Sequence, residues 1–394
     1  MINKIKKVKV KDLFGIAIFV IVLFPSIFYK LILKIKKKQL WLICENENIA
    51  RDNGIVFYEY IRKKHPEILC YYAIDFSSPD YGKIKSLGNI VKWGGFKHYF
   101  LYMSSSKNIS SHKQGNPNHA LFTILHLYLH LYNNRVFLQH GVLYQNFEMF
   151  HKKNCYFKIF ICGAKPEYDF VDEKFGYDNG EVRYTGLARF DNLHNVVTKK
   201  KIILYMPTWR RYLSKKQELE KSVYLQKILS FINSSALEVF LEKNNYELHF
   251  CPHDGLRDGK ELFESNNKRV KVIDISKANI QQMLMESSVL ITDFSSIHTD
   301  FAYMKKPVVY YQYDIEDYSE KHVGKEYKDT YYNFKKDGFG LVVENENDLL
   351  DELKRIIETN DLIVDHKYMK RIDEFFQLND KNNCERIHRE IVRG

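Results

Sequence analysis

The sequence predicts an α/β protein of two doubly wound domains, preceded by a hydrophobic helix. Three observations carry that expectation. Residues 288–314 read as strand, tight polar turn, helix and strand. Residues 39–74 read as strand, helix and strand. The chain has 394 residues, enough for two domains of ordinary size.

Composition narrows the function. Apolar residues make up 45% of the chain, so a sizeable core is available, and the net charge is +11, which favours an anionic partner: a membrane surface, nucleic acid or a phosphate-rich substrate. Tyr and Phe are spread out and do not interleave with Arg as stacking platforms. Nucleic acid therefore ranks below membrane and phosphate. The six cysteines are scattered and form no CxxC pair. No zinc site or disulfide framework is expected, and reduced cytosolic thiols fit best.

Residues 1–12 are basic. Residues 13–29 carry no charge, and five lysines follow between 30 and 38. As a helix the uncharged run would be about 26 Å long, marginal for a hydrocarbon core of about 30 Å. Pro25 would kink it. The expectation is a membrane anchor over residues 1–38 that embeds in the cytoplasmic leaflet, with lysines on anionic headgroups. A full span is the second reading, and a buried soluble helix the third.

The first domain is expected over 39–195. Strands are read at 39–44 (QLWLIC) and 69–74 (LCYYAI), with a helix at 48–62 between them. Residues 90–93 and 108–111 continue the sheet, and 119–131 is apolar and helical. The strand 135–141 (RVFLQHG) ends in His140 and Gly141. Ligands of open α/β sheets bind at strand carboxyl ends, and a His there can take a proton at neutral pH. The bland alternative is a structural His in a turn. A further strand is read at 157–162.

The second domain is expected over 196–365. The strand 201–206 (KIILYM) is followed by PTWRR. Thr208 offers a hydroxyl, and Arg210 or Arg211 a two-pronged clamp for a diphosphate, with Arg210 favoured; a basic surface turn is the alternative. The strand 246–251 (YELHFC) ends at Pro252, His253 and Asp254. The strand 288–292 (SVLIT) leads into Asp293, Ser295 and Ser296, which are helix N-cap residue types. Thr292, Ser295 and Ser296 are candidate phosphate ligands, because free N–H groups and the dipole at a helix start attract anions. Asp300 lies one turn on, placed to reach a ribose hydroxyl. An ordinary capped helix is the alternative. Residues 315–336 are expected as a loop, 344–358 as a helix, and 366–394 as a terminal helix packing back on the first domain.

Four blocks resemble the CDP-glycerol glycerophosphotransferase family, the teichoic acid primases and polymerases. They are WLICENENIARDNGIVFYEYIRKKHPEILCYYAID, QHG, TGLARFD with PTWR, and TDFSSIHTDFAYMKKPVVYYQYD. Three departures stand out. Ala188 replaces a usual Pro, Asp254 follows His253 where the family has Pro, and a Gly-Pro near residue 338 is missing. The resemblance implies the GT-B architecture. It also implies transfer of glycerol phosphate from CDP-glycerol to a hydroxyl of a lipid-linked or polyol-phosphate acceptor at the cytoplasmic face of the cell membrane, with release of CMP. It places an essential base at His140 and a donor-diphosphate contact at His253. No cofactor or metal cluster is expected, and no nucleic-acid partner. CDP-ribitol or a nucleotide sugar of capsule synthesis is the alternative donor. A non-catalytic membrane-surface protein that binds polyanions is the alternative of another class.

Overall fold

The computed structural model describes residues 10–128, 134–194, 200–275, 278–323 and 329–394. The chain divides into two units. The first holds residues up to Val142, Phe147–Asp191 and Asp380–Gly394; the second holds Leu143–Asn146 and Asn192–Asn379.

The first unit is built on seven parallel strands: β1 (Leu40–Cys44), β2 (Leu69–Ile74), β3 (Ile90–Lys92), β4 (Lys107–Ser110), β5 (Arg135–Phe137), β6 (Ile159–Cys162) and β7 (Val182–Tyr184). Their spatial order is β3-β2-β1-β4-β5-β6-β7. Every residue of β1 is buried, as a central strand covered on both faces requires. Its side chains divide by the two-residue period of a strand. Trp41 and Ile43 pack with Phe57, Tyr58 and Ile61, and with Ile387 and Ile391 of the closing helix Asn383–Arg393. Leu40 and Leu42 pack on the other face with Tyr99, Tyr102 and Phe122.

That second face also receives the N-terminal helix Val10–Ile35. Ile18, Phe19, Val22 and Leu33 join the core. The opposite side of the same helix is apolar and bare: Val20, Ile21, Phe24, Phe28 and Ile35 are exposed, Phe24 by 78%. By length and composition residues 14–35 could cross a membrane. One face, however, is integral to the first unit.

The second unit is built on β8 (Ile202–Tyr205), β9 (Glu247–Phe250), β10 (Val270–Val272), β11 (Val289–Thr292), β12 (Val308–Tyr311) and β13 (Gly340–Val343), all parallel, in the order β10-β9-β8-β11-β12-β13. Residues expected as a loop after Asp314 hold short helical turns at Ile315–Asp317, Tyr318–Val323 and Phe334–Asp337. Tyr318 is buried against Phe294, with the rings 3.8 Å apart, so an aromatic-rich stretch that reads as polar is partly drawn into the core. Of the helix expected over 119–131, His119–Tyr128 is helical and 129–131 lie outside the described residues. The six cysteines are all free and buried.

Both sheets reverse their winding once, between β1 and β4 and between β8 and β11. At such a point two neighbouring loops leave in opposite directions, which opens a crevice at the strand carboxyl ends.

Candidate active site

In the first unit, Glu45 follows β1 at the switch point and is fully buried. Its carboxylate accepts the backbone N–H groups of Arg51, Asp52 and Ile55 at 2.9–3.0 Å. These are the open donors at the start of the helix Asn53–Lys64. A side chain at Gly54 would lie 2.7 Å from Glu45 Cγ and 2.9 Å from the Cys44 carbonyl, so only glycine lets the helix approach this closely. Burial and the neighbouring Asp52 charge push the Glu45 carboxyl upward, against its three N–H bonds.

The capped helix presents Asp52 to the loop after β5. Gln139 adopts a left-handed backbone, φ +61°, and its amide is held by Ile161 O and Glu167 Oε1. This turn sends His140 out of the sheet, where its imidazole is 72% exposed. His140 Nδ1 lies 2.6 Å from Asp52 Oδ2. The other Asp52 oxygen accepts from Arg189 Nη1 at 2.8 Å, and the same nitrogen donates to His140 O. Asn53 completes the frame: its amide donates to Gln139 O and accepts from Arg189 N. Thus QHG and TGLAR are pinned to one helix start.

The electrostatics follow from this geometry. Asp52's charge and its hydrogen bond to Nδ1 raise the His140 pKa above its ordinary value. Burial alone would raise Asp52, but His140 and Arg189 bring it down to about 2. With Nδ1–H directed at the carboxylate, Nε2 is left to accept a proton. His112, whose ring is 5.0 Å from that of His140, is pushed down to about 4 by burial and by His140. It stays neutral at physiological pH.

Asp52, His112 and His140 bring their ligand atoms within 4.8 Å of one another, a possible metal triad that no sequence spacing shows. Both Asp52 oxygens are already committed, one of them to the Arg189 cation. A dication here would have to displace that pairing.

In the second unit, the loops after β8 and β11 flank the other switch point. Arg210 is wholly buried. It meets Asp314 in two parallel bonds of 2.7 Å, Asp293 Oδ2 at 2.9 Å and the Thr208 carbonyl at 2.7 Å. Its guanidinium also lies over the rings of Tyr224, Tyr318 and Phe294. Four of its five N–H groups are thereby used. The expected diphosphate clamp sits in this structure as a strut that ties PTWR to TDFSS and QYD. Arg211, beside it, is exposed. The sequence signal for the strut is the pair of aspartates, Asp293 and Asp314, at the two ends of the TDFSSIHTDFAYMKKPVVYYQYD block.

The remaining expected donor-site residues differ in placement. Thr292 is buried and its hydroxyl donates to Met206 O. Asp300 is 2% exposed, inside the short helix Ile297–Tyr303. Ser296 is exposed at the start of that helix and Ser295 is half-buried. The Thr208 hydroxyl has no hydrogen-bond partner among the described residues. His253 is exposed after β9, its ring stacked 5.9 Å from Trp209. His253 Nδ1 accepts from Gly255 N, so Nε2 carries the proton and can donate outward. A Cβ at Gly255 would lie 2.7 Å from the Trp209 ring, and glycine is what allows this stack. Ser295, Ser296, Arg211 and His253 are thus the reachable polar groups, whereas Thr292, Arg210 and Asp300 are internal.

A family model for CDP-glycerol:poly(glycerophosphate) glycerophosphotransferases matches residues 26–393. The chain belongs to this family. It is 34% identical over 370 residues to the minor teichoic acid biosynthesis protein GgaB of Bacillus subtilis, covering 90% of this chain and 40% of that protein. It is 25% identical over 262 residues to the teichoic acid ribitol-phosphate polymerase TarK of Staphylococcus aureus, covering 60% of this chain and 45% of that protein. The chain therefore spans less than half the length of either relative. The fold matches that of the wall teichoic acid polymerase TagF, with a TM-score of 0.65, 18% identity and coverage of 100% of this chain and 98% of the other. The two parallel-sheet units are of this GT-B-like type. Asp52, Glu45, His112 and Arg189 were not singled out as site residues by sequence. Asp52 could have been, as a carboxylate just before a helix, and Arg189 as the cation inside a family block.

Proposed function

We propose that this chain transfers glycerol phosphate from CDP-glycerol to a hydroxyl of a membrane-linked acceptor and releases CMP. The observation that carries this reading is the Asp52–His140 pair at the first unit's switch point, in a chain of the glycerophosphotransferase family. His140 Nε2 would take the proton of the acceptor hydroxyl. The oxygen then forms a bond to the glycerol-bearing phosphorus of the donor. The bond from that phosphorus to the bridging oxygen breaks, and CMP departs with the electron pair. Asp52 holds the imidazole in the working tautomer and stabilises its charged form.

For the second unit, the proposal assigns donor phosphates to His253, Ser295 and Ser296, with the exposed Arg211 as the cation. Arg210, Thr292 and Asp300 support the loops that carry these groups. Charge spread over fixed N–H and O–H donors is the main resource for phosphoryl transfer.

The bare face of the N-terminal helix supports membrane association at the cytoplasmic leaflet. A contiguous exposed apolar stripe of this kind marks a surface that water does not cover in use.

The test is CMP release from CDP-glycerol, CDP-ribitol and a UDP-sugar in turn, with a glycerol-phosphate primer, for wild type and His140→Ala. CMP from CDP-glycerol that the variant loses supports the reading. CMP from CDP-ribitol instead would favour the donor suggested by the similarity to TarK. Binding of none of the three would overturn the reading.

A further inference from the structure

We propose that the second unit carries, apart from its donor loops, a basic groove that holds an anionic polyol-phosphate chain by its phosphodiesters. This rests on the acceptor reading given above.

The groove lies between β13, the edge strand of the second sheet, and the helix His366–Phe375. Leu341 and Val342 line it from the strand, Lys367, Tyr368 and Arg371 from the helix, and Lys335 from the short helix before the strand. Its volume is about 340 Å³, within the range of small-ligand clefts, about 300–1,000 Å³. In the sheet β12 separates β13 from β11, so the groove is distinct from the switch point between β8 and β11.

Three cations and no carboxylate line this groove. Lys367 and Arg371 are four residues apart on one helix, where side chains are neighbours and like charges repel. Both lie over the single ring of Tyr368, at 4.6 and 5.4 Å. Neither has an ion pair among the described residues, because the two acids of the same helix, Asp373 and Glu374, go to Lys305 and Lys370. Arg371 Nη1 donates to the Gly338 carbonyl at 2.8 Å, which fixes the guanidinium and leaves its other N–H groups for a ligand. Lys335 meets Glu344 at 2.8 Å, with both side chains mostly exposed. Such a surface pair has little net worth, so an incoming anion displaces it at small cost. Mutually repelling cations gathered in a cleft without a counter-charge specify an anionic ligand.

The rest of the lining selects its class. Arg371 offers a planar fork that matches phosphate oxygens, and the two lysines offer point charges. Tyr368, the one aromatic ring, is buried beneath the two cations, so a nucleobase has no free face to stack on. Leu341 is the one large apolar side chain exposed there, at 38%, whereas a surface that enters a bilayer presents an apolar face of the kind the N-terminal helix carries. A run of phosphodiesters joined by polar polyols brings charge without a base and without a lipid tail. Held in this groove, the chain stays with the enzyme between additions, and acceptors of several units bind better than a single unit.

The experiment measures binding of a glycerol-phosphate hexamer to the full chain by calorimetry, at low and at high salt, for wild type, Lys367→Glu and Lys370→Glu. Lys370 is exposed on the same helix and does not line the groove, so K370E changes the net charge equally. In parallel, CMP release is followed with the hexamer and with a single-unit acceptor. Hexamer binding should weaken about tenfold in K367E, where a carboxylate then faces the anion, and match wild type in K370E. High salt should weaken the wild-type binding. K367E should raise KM for the hexamer with little change in kcat, and leave the single-unit acceptor unaffected. No hexamer binding by wild type, or an equal loss in both variants, overturns the groove. Weakened binding with an unchanged hexamer KM overturns its role in holding the acceptor. If K367E binds the hexamer as wild type does but no longer sediments with anionic vesicles, the ligand is a lipid headgroup and the chain assignment is overturned. Should the protein release no CMP with either acceptor, the acceptor reading fails while the calorimetry still decides the groove. Lys367→Gln, a milder change at the same exposed position, guards against misfolding and should weaken hexamer binding in the same direction.

Discussion

His140 Nδ1 and Asp52 Oδ2 are 2.6 Å apart although 88 residues separate them in the chain. The carboxylate raises the histidine's pKa above its ordinary 6.5. A base must be neutral to accept a proton, so kcat/KM should rise with pH through a midpoint above 6.5. Asp52→Asn removes the charge and should bring that midpoint down while lowering the plateau. His140→Ala should cost about 10²–10⁴ in rate, the usual worth of a positioned base. A plateau unchanged in D52N would remove Asp52 from the proposed mechanism.

The same pair sets a stability window. His140 is raised, so its contribution is complete below 6.5 and lost as pH climbs through the raised value. Asp52 is lowered from 3.8 to about 2, so its contribution is present above 3.8 and lost as pH falls towards 2. Thermal unfolding across pH should therefore show D52N losing most relative to wild type between about 4 and 6.5. A loss that is flat from pH 3 to 9 would mean the pair is not an ion pair in solution.

Gly54 tests the frame beneath that pair. Gly54→Ala drives a methyl against Glu45 and the Cys44 carbonyl. Overpacking of this kind costs about 1–3 kcal/mol. The expected result is a lower melting temperature together with a kcat reduced by displacement of Asp52. An unchanged melting temperature would show that the helix start can yield.

Much of this architecture was legible from the sequence, and the reasons are local. β1, β8 and β11 announce themselves as short apolar runs closed by polar turns, and parallel strands buried on both faces must read that way. His140 and His253 were found because they stand at such strand ends. Asp52, Arg189 and Arg210 are another matter. Their roles depend on which loops meet at a switch point, and that is a property of strand order rather than of any one segment. Arg210 illustrates the consequence: an arginine after a strand reads as a clamp until its two aspartates, 83 and 104 residues away, are placed beside it.

Arg210 and Arg211 should separate cleanly. Arg210→Lys breaks the two-pronged bond to Asp314 inside the core, and breaking a buried pair costs about 3–5 kcal/mol. The melting temperature of the second unit should fall by about 10 °C, whichever donor is used. Arg211→Ala, at an exposed position, should leave melting unchanged and raise KM for the donor. Reversal of these two phenotypes would restore Arg210 as the ligand.

The N-terminal helix makes the last prediction, and the choice of variant matters. Deleting the first 38 residues would remove Ile18, Phe19, Val22 and Leu33 from contact with Leu40, Leu42, Tyr99 and Phe122. Each such side chain contributes about 1.5–3 kcal/mol when buried, so a truncated chain should be destabilised as well as detached. Loss of activity in it would say nothing about membranes. The exposed face offers a cleaner test, because Ile21, Phe24 and Phe28 support no core contact of comparable burial. Replacing all three with Asp should leave the melting temperature nearly unchanged and abolish sedimentation with anionic vesicles. Vesicle binding that survives the triple substitution would mean that the lysines alone hold the surface. In that case high salt should release the protein, since screening acts on exposed charges and leaves buried apolar contacts intact.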